Sequence, residues 1–147
     1  EAKITLTKLN DNPGIAALVF GSLADNGINV DMIVQNISSD GKYTDLTFTV
    51  PASDIKRATV MIESLKDSIQ YDKLLGSRDI VKVSVIGVGM RSHSGVAALM
   101  FKTLAAKGIN ILAITTSEIK VSVLIDAQHL EMAVKSLHTA YNLDKNI

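Results

Sequence analysis

The 147-residue chain contains no cysteine, which excludes disulfide staples and thiol chemistry. Aromatic residues make up only 4%, too few for the stacking platform that single-stranded RNA requires. Neither sign of charge is in surplus. Lys plus Arg and Asp plus Glu number 15 each, so the basic footprint of a nucleic-acid binder is missing. No apolar run approaches the roughly 20 residues of a membrane span, and no signal peptide is recognisable. These absences lead to the expectation of a soluble, cytoplasmic protein with no nucleic-acid or membrane partner. Because the chain starts at Glu1, it is also expected to be part of something longer.

What the chain does have is a stretch that occurs twice. Residues 11–33 and 92–114 superpose on a shift of 81 without a gap, matching Gly14 to Gly95, Phe20 to Phe101, Gly27 to Gly108 and Asn29 to Asn110. Each copy reads as loop, glycine, amphipathic helix, glycine turn and strand. Repetition on this scale sets the architecture before any single residue is interpreted. It predicts two small domains, residues 1–78 and 79–147. Units of that size bury proportionally little surface and tend to need a partner. An apolar share of 47% against 20% charged suits contacts between repeats or chains.

Taken in order, alternation predicts a strand over 3–9. A helix opens at Gly14, with Ile15, Leu18, Val19 and Leu23 as its buried stripe and Gly27 as its stop. A strand over 28–38 and a turn at 39–42 lead to a third strand over 45–50. Ser53 or Asp54 is the predicted cap of a second helix, with Ile55, Ala58, Ile62, Leu65 and Ile69 as its apolar face. A short fourth strand is expected over 71–75, and 76–79 is expected to link the repeats. In the second repeat, strands are predicted over 80–87, 109–116 and 118–125. Its first helix spans 95–107, using Val96, Leu99, Met100 and Leu104. Its last helix is capped by Asp126 and carries Leu130, Ala133, Val134, Leu137 and Tyr141. Each repeat is thus β-α-β-β-α with a weak or missing last strand. That order predicts an α+β, ferredoxin-like sandwich, an antiparallel sheet with two helices on one face. The last strand of repeat two is expected from residues upstream or from another chain.

Enzyme constellations are not apparent. His93, His129 and His138 are scattered and read as solvated surface residues. No cluster has metal-ligand spacing, so neither a metal site nor a catalytic residue is expected. The stretch 87–95 is glycine-rich but lacks the Gly-Lys-Ser/Thr ending of a phosphate loop. A small acylphosphatase-like hydrolase on the same fold would want an arginine at that loop. Arg91 is suitably placed, but the doubled domain does not suit that activity.

The loop-to-helix junctions have a better physical rationale. Pro13-Gly14-Ile15 and Ser94-Gly95-Val96 each point backbone N–H groups out of a helix N-terminus, which favours an anion. Glycine lets a ligand approach the backbone closely. An amino acid needs an acceptor for its ammonium as well, and Asp11 stands just before the first junction. The matching residue of the second copy is Ser92, with Glu118 the nearest candidate acceptor. A glycine before a helix is, on that feature alone, more often plain turn geometry than a site.

The motifs Asp11-Asn-Pro-Gly-Ile15, Val34-Gln-Asn-Ile-Ser38, Asp45-Leu-Thr-Phe48, Lys82-Val-Ser-Val-Ile-Gly-Val-Gly-Met90, Ser92-His-Ser-Gly95 and Thr116-Ser-Glu-Ile119 resemble the tandem ACT domains of aspartate kinase regulatory regions. The resemblance covers essentially the whole chain and implies a non-catalytic sensor of threonine and lysine that restrains aspartate phosphorylation. It implies no cofactor in this chain, since ATP and magnesium would belong to a kinase domain. It further implies a homodimer, in which the first ACT domain of one chain meets the second of the other, and a catalytic domain or subunit as partner. Carried over by position, a threonine-like site would use Asp11, Gly14, Ile15 and Gln35, with Asn110 and Ile111 from the other chain. A second site would use Met90, Ser92, Gly95, Val96, Ser117 and Glu118, with Asn29, Val30 and Asp31 from the other chain. A regulatory subunit of another amino-acid biosynthetic enzyme is the nearest alternative.

Overall fold

The structure is a computed structural model that describes residues 1–87 and 93–141, with the side chains of 93 and 94 excepted. Its contacts divide it into two compact units, Glu1–Arg78 and Asp79–Ile147.

In the first unit, β1 (Ala2–Asn10) is followed by α1 (Ile15–Asp25), β2 (Ile33–Ile37), β3 (Tyr43–Val50), α2 (Ile55–Ser64), the one-turn α3 (Lys66–Ile69) and β4 (Leu74–Ser77). The four strands form an antiparallel sheet in the order β2-β3-β1-β4. Alternation puts Ala2, Ile4 and Leu6 of β1 and Leu46, Phe48 and Val50 of β3 on one face. There they meet Val19 and Leu23 of α1 and Ala58 and Ile62 of α2, forming one core. Phe48 packs edge-on against Phe20, with ring centroids 5.3 Å apart. Gly27, at φ +69°, closes α1 in the left-handed conformation that glycine adopts without a steric penalty.

Several expected boundaries move. The strand expected over 28–38 begins only at Ile33. Upstream of it the ladder is irregular, because Met32 N–H donates to the Thr49 hydroxyl at 3.0 Å. The fourth strand lies at Leu74–Ser77 rather than 71–75. Tyr71 is instead buried in the core, and Gly76 pairs with Ile4, so residues 76 and 77 belong to the sheet and not to a linker. The second helix breaks at Leu65 before α3. Its N-terminus follows a 3-10 turn over Ala52–Asp54. The Asp54 carboxylate makes no cap bond there and pairs with Arg57 at 3.0 Å instead.

In the second unit, β5 (Ile80–Ile86), α4 (His93–Ala106), β6 (Ala113–Thr116), β7 (Lys120–Asp126) and α5 (Leu130–Ala140) repeat the plan. The sheet order is β5-β7-β6, three strands among the described residues. Val83, Val121, Val123 and Ile125 meet Met100, Leu104, Ala133 and Leu137 in a second core. Gly108, at φ +70°, closes α4 as Gly27 closes α1. The Asp126 carboxylate accepts the Gln128 N–H at 3.1 Å and so caps the 3-10 turn Ala127–His129 that leads into α5, while α5 itself starts after His129 with no side-chain cap. The strand expected over 109–116 is confined to its last four residues. Leu99, Leu130 and Val134, expected in the core, are exposed at 37–41%. Val134 lines a cavity of about 130 Å³ with Val83, Val85 and Tyr141, beside the edge of β5 that pairs with no strand among the described residues. In unit one the corresponding edge, that of β1, is covered by β4.

Candidate functional site

Three elements of unit one converge where β1 hands over to α1. After Asn10 the chain turns through Asn12, whose N–H donates to Asn10 O at 2.9 Å. Gly14 adopts φ +93°, a conformation that a side chain would strain. It brings the chain into α1 so that Leu18 N–H reaches Gly14 O at 2.9 Å. No side chain caps this helix, and no acidic residue lies in its first turn. The positive end of the helix therefore has no counter-charge within its own first turn. The sequence expectation of open N–H groups is met at Gly14, whose N–H has no partner among the described residues. Ile15 departs from it, since its N–H is held by a long 3.4 Å bond to Asn12 O.

Across from this terminus, β2 contributes Gln35 and β3 contributes Thr44 and Leu46. Together with Leu9, Asn10, Asp11, Asn12, Gly14 and Ile15 they enclose a cavity of about 180 Å³. Gln35 Nε2 donates to the Thr44 hydroxyl at 3.4 Å, and Thr44 is nearly fully buried. The Asp11 backbone is fixed by its N–H donating to Lys42 O at 3.1 Å. Lys42 in turn is held by the β2–β3 turn, where the Asp40 carboxylate accepts Ser38 Oγ at 2.6 Å and Lys42 N–H at 3.0 Å. Those two bonds hold the Asp40 carboxyl below its ordinary pKa. The cavity thus offers a carboxylate, an uncapped helix N-terminus, an amide, a buried hydroxyl and an apolar floor. A small zwitterion with a short side chain matches that set.

Four residues expected at the threonine-like site, Asp11, Gly14, Ile15 and Gln35, line this cavity. Asn29, Val30 and Asp31 do not. They border a different hollow of about 510 Å³ with Glu1, Val50 and Pro51. Asn110 and Ile111 lie in unit two between α4 and β6, with Ile111 against that unit's core. Met90 and Ser92 lie outside the described residues. Gly95 and Val96 are in the first turns of α4, where Val96 O accepts the Tyr141 hydroxyl. Ser117 and Glu118 form the tight β6–β7 turn, with Ser117 N–H bonded to Lys120 O at 2.8 Å. Thr44, Asn10 and Asn12 were not anticipated. Thr44 shares the alternation of Leu46 and Phe48, and beginning that strand at Tyr43 instead of Asp45 would have found it.

A larger hollow, about 830 Å³, is an open groove between α4 and α5 lined by Lys102, Lys107, Lys135 and Met132. It contains none of the expected residues, and the smaller cavity has the more convergent chemistry. No group of three or more His, Cys, Asp or Glu suited to a metal occurs among the described residues. No helix among them is long and apolar enough to cross a membrane.

Comparison with known proteins places this geometry. The ACT domain family model matches residues 7–64 and again 83–141. An aspartokinase of Helicobacter pylori is 51% identical over 148 residues, covering 99% of this chain and 35% of its own length. The regulatory subunit of aspartate kinase from Thermus thermophilus, in a ligand-free form, is 39% identical with a TM-score of 0.87, covering 95% of this chain and 91% of that one. A structure of aspartokinase alpha and beta subunits is 48% identical with a TM-score of 0.89, covering 96% and 92%. The chain belongs to the ACT-domain family, as an aspartokinase-type regulatory region. It spans about a third of the length of the curated relatives it matches. As a tandem ACT region, it carries in its first unit a formed cavity at the loop-to-helix junction.

Proposed function

We propose that this regulatory region senses free amino acids, threonine and lysine, and restrains an aspartate kinase in response. The observation that carries the reading is the cavity lined by both Asp11 and Gly14, at the uncapped start of α1. Asp11 takes the ligand ammonium, and the Gly14 and Ile15 backbone takes its carboxylate. Gln35 and Thr44 meet the side chain. Asn110 and Ile111 of a second copy of the chain close this site. A second site combines Met90, Ser92, Gly95, Val96, Ser117 and Glu118 with Asn29, Val30 and Asp31 of the second copy. ATP and magnesium belong to the kinase domain, whether on a separate subunit or on the same protein.

Regulation then follows from linkage. A site built from two chains exists only in the assembled state, so its ligand stabilises that state. If assembly holds the kinase inactive, the ligand inhibits, with a coupling of about 1–3 kcal/mol that is reciprocal for binding. Thermal denaturation of the purified chain with each of the twenty amino acids tests the reading. Threonine or lysine alone should raise the midpoint. No shift with any of them, at concentrations roughly a hundredfold above a millimolar Kd, would rule out a stand-alone sensor.

A further inference from the structure

We infer that a backbone bulge at Lys8, held by the Asp45 carboxylate, sets the wall of the Asp11 cavity, making Asp45 a positioning residue for effector binding. The inference rests on the function proposed above and adds to it a residue that does not line the cavity.

The alternation of β1 carries the argument. Ala2, Ile4 and Leu6 point into the core, so strict alternation would send Lys8 inward next. Lys8 is instead exposed, and Leu9 is buried at 1%. The register shows why. Leu6 pairs with Leu46 but Leu9 pairs with Thr44, so β1 uses three residues where β3 uses two. One extra residue is extruded, and every later residue changes face. Without the bulge, the lysine would occupy the place of Leu9 in the cavity floor, and Asn10 and Asp11 would be turned to the opposite side.

The extrusion requires Lys8 to adopt φ +53°, left-handed backbone that a residue with a side chain adopts reluctantly. Three contacts hold it there. Asp45 Oδ1 accepts the Lys8 N–H at 2.9 Å. On the other side, Thr7 N–H donates to Lys73 O at 2.9 Å, and Lys73 N–H donates to the Thr7 hydroxyl at 3.0 Å. Asp45 lies between Thr44 and Leu46, which both line the cavity, yet its own carboxylate is spent on the bulge. The other non-glycine residue with positive φ among the described residues is Gln70, at +52°. Its side-chain oxygen accepts Asn10 Nδ2 at 3.3 Å, so it too braces the cavity wall. Both strained positions stand directly behind one site, where such strain is found when the surroundings over-determine it.

Threonine titration by calorimetry on the intact chain, with amide exchange as a second readout, tests the inference. Asp45→Ala should weaken threonine about tenfold or more, the scale of losing a hydrogen bond to a charged group. It should also speed amide exchange at residues 9–11. Asp45→Asn keeps an acceptor oxygen and should bind within about threefold of the parent. Adding Lys8→Gly to Asp45→Ala should restore both affinity and protection, because glycine enters the left-handed region unaided. If Asp45→Ala binds like the parent, the inference fails. It fails equally if Lys8→Gly leaves the loss uncorrected, since Asp45 would then act on the ligand by its charge. If the parent binds neither threonine nor lysine, the proposed function falls with it. Unchanged exchange at residues 9–11 in Asp45→Ala would refute the bulge's structural role separately.

Discussion

The two repeats share a glycine turn after their first helix, at Gly27 and Gly108, yet they finish their domains differently. Unit one has four strands, an edge-on Phe20–Phe48 pair, and a five-residue β2–β3 turn whose Lys42 carbonyl fixes Asp11. Unit two has three strands among the described residues, Val123 where Phe48 stands, and a tight turn at 117–119. The registers prove the match. Ile33 and Ile4 flank Phe48, just as Ile114 and Val83 flank Val123. The difference teaches that a repeated motif fixes the scaffold while the connections decide the chemistry. Both turns deliver a backbone anchor, Lys42 O to the Asp11 N–H at 3.1 Å and Ile119 O to the Gly87 N–H at 2.8 Å, but only the first anchors a carboxylate-bearing residue.

The sharpest way to break the comparison is in the cores. Phe48→Ala should cost about 3–5 kcal/mol, the range for emptying a buried aromatic site. Val123→Ala should cost about 2 kcal/mol, from two methylene equivalents and a smaller cavity. Urea denaturation of the two variants gives both values. Equal costs would show that the aromatic pair adds nothing to unit one.

The glycine turns should behave alike, which sharpens the comparison from the other side. Gly27→Ala and Gly108→Ala each place a side chain at a φ near +70°, and neither new Cβ would touch a neighbouring atom. Backbone strain is then the whole effect, about 1 kcal/mol in each case. A clear difference between the two midpoints would contradict their structural equivalence.

The smallest effect concerns the turn that only unit one possesses. The bonds from the Ser38 hydroxyl and the Lys42 N–H hold the folded-state pKa of Asp40 below the ordinary carboxylate value. A depressed carboxyl contributes stability that is fully present above that value and is lost as pH falls through the folded pKa. Amide exchange at Lys42 and Tyr43 should therefore quicken below about pH 4, with the 117–119 turn unchanged by the same mechanism. Asp40→Asn should remove most of that acid sensitivity.

Much of this was legible in the sequence. The shift of 81 located both helices, and Gly14, Gly27 and Gly108 all adopt the positive φ that their places before or after a helix required. The strand starts were less legible. The alternating stretches at 28–32 and 109–112 lie ahead of the point where the ladder becomes regular, and hydrophobicity does not distinguish a packed approach from a paired strand. The bulge left a trace, a broken alternation at Lys8, but its cause is the Asp45 side chain 37 positions away. Four residues of the first site came together because they lie within one unit. The second expected set includes Met90 and Ser92, outside the described residues, and three residues expected from a second chain, and no pattern within one sequence fixes such a meeting.

The central claim is that a small amino acid binds in the cavity lined by both Asp11 and Gly14, at the start of α1. Its most direct test is an amide NMR titration with threonine, run in parallel on the parent chain and on Asp11→Ala. The account predicts that the Gly14 and Ile15 amides shift most in the parent. It also predicts that Asp11→Ala, still folded, binds roughly 10- to 150-fold more weakly, the equivalent of one hydrogen bond to a charged group. Shifts confined to the lysine-lined groove of α4 and α5, or unchanged affinity in Asp11→Ala, would contradict it.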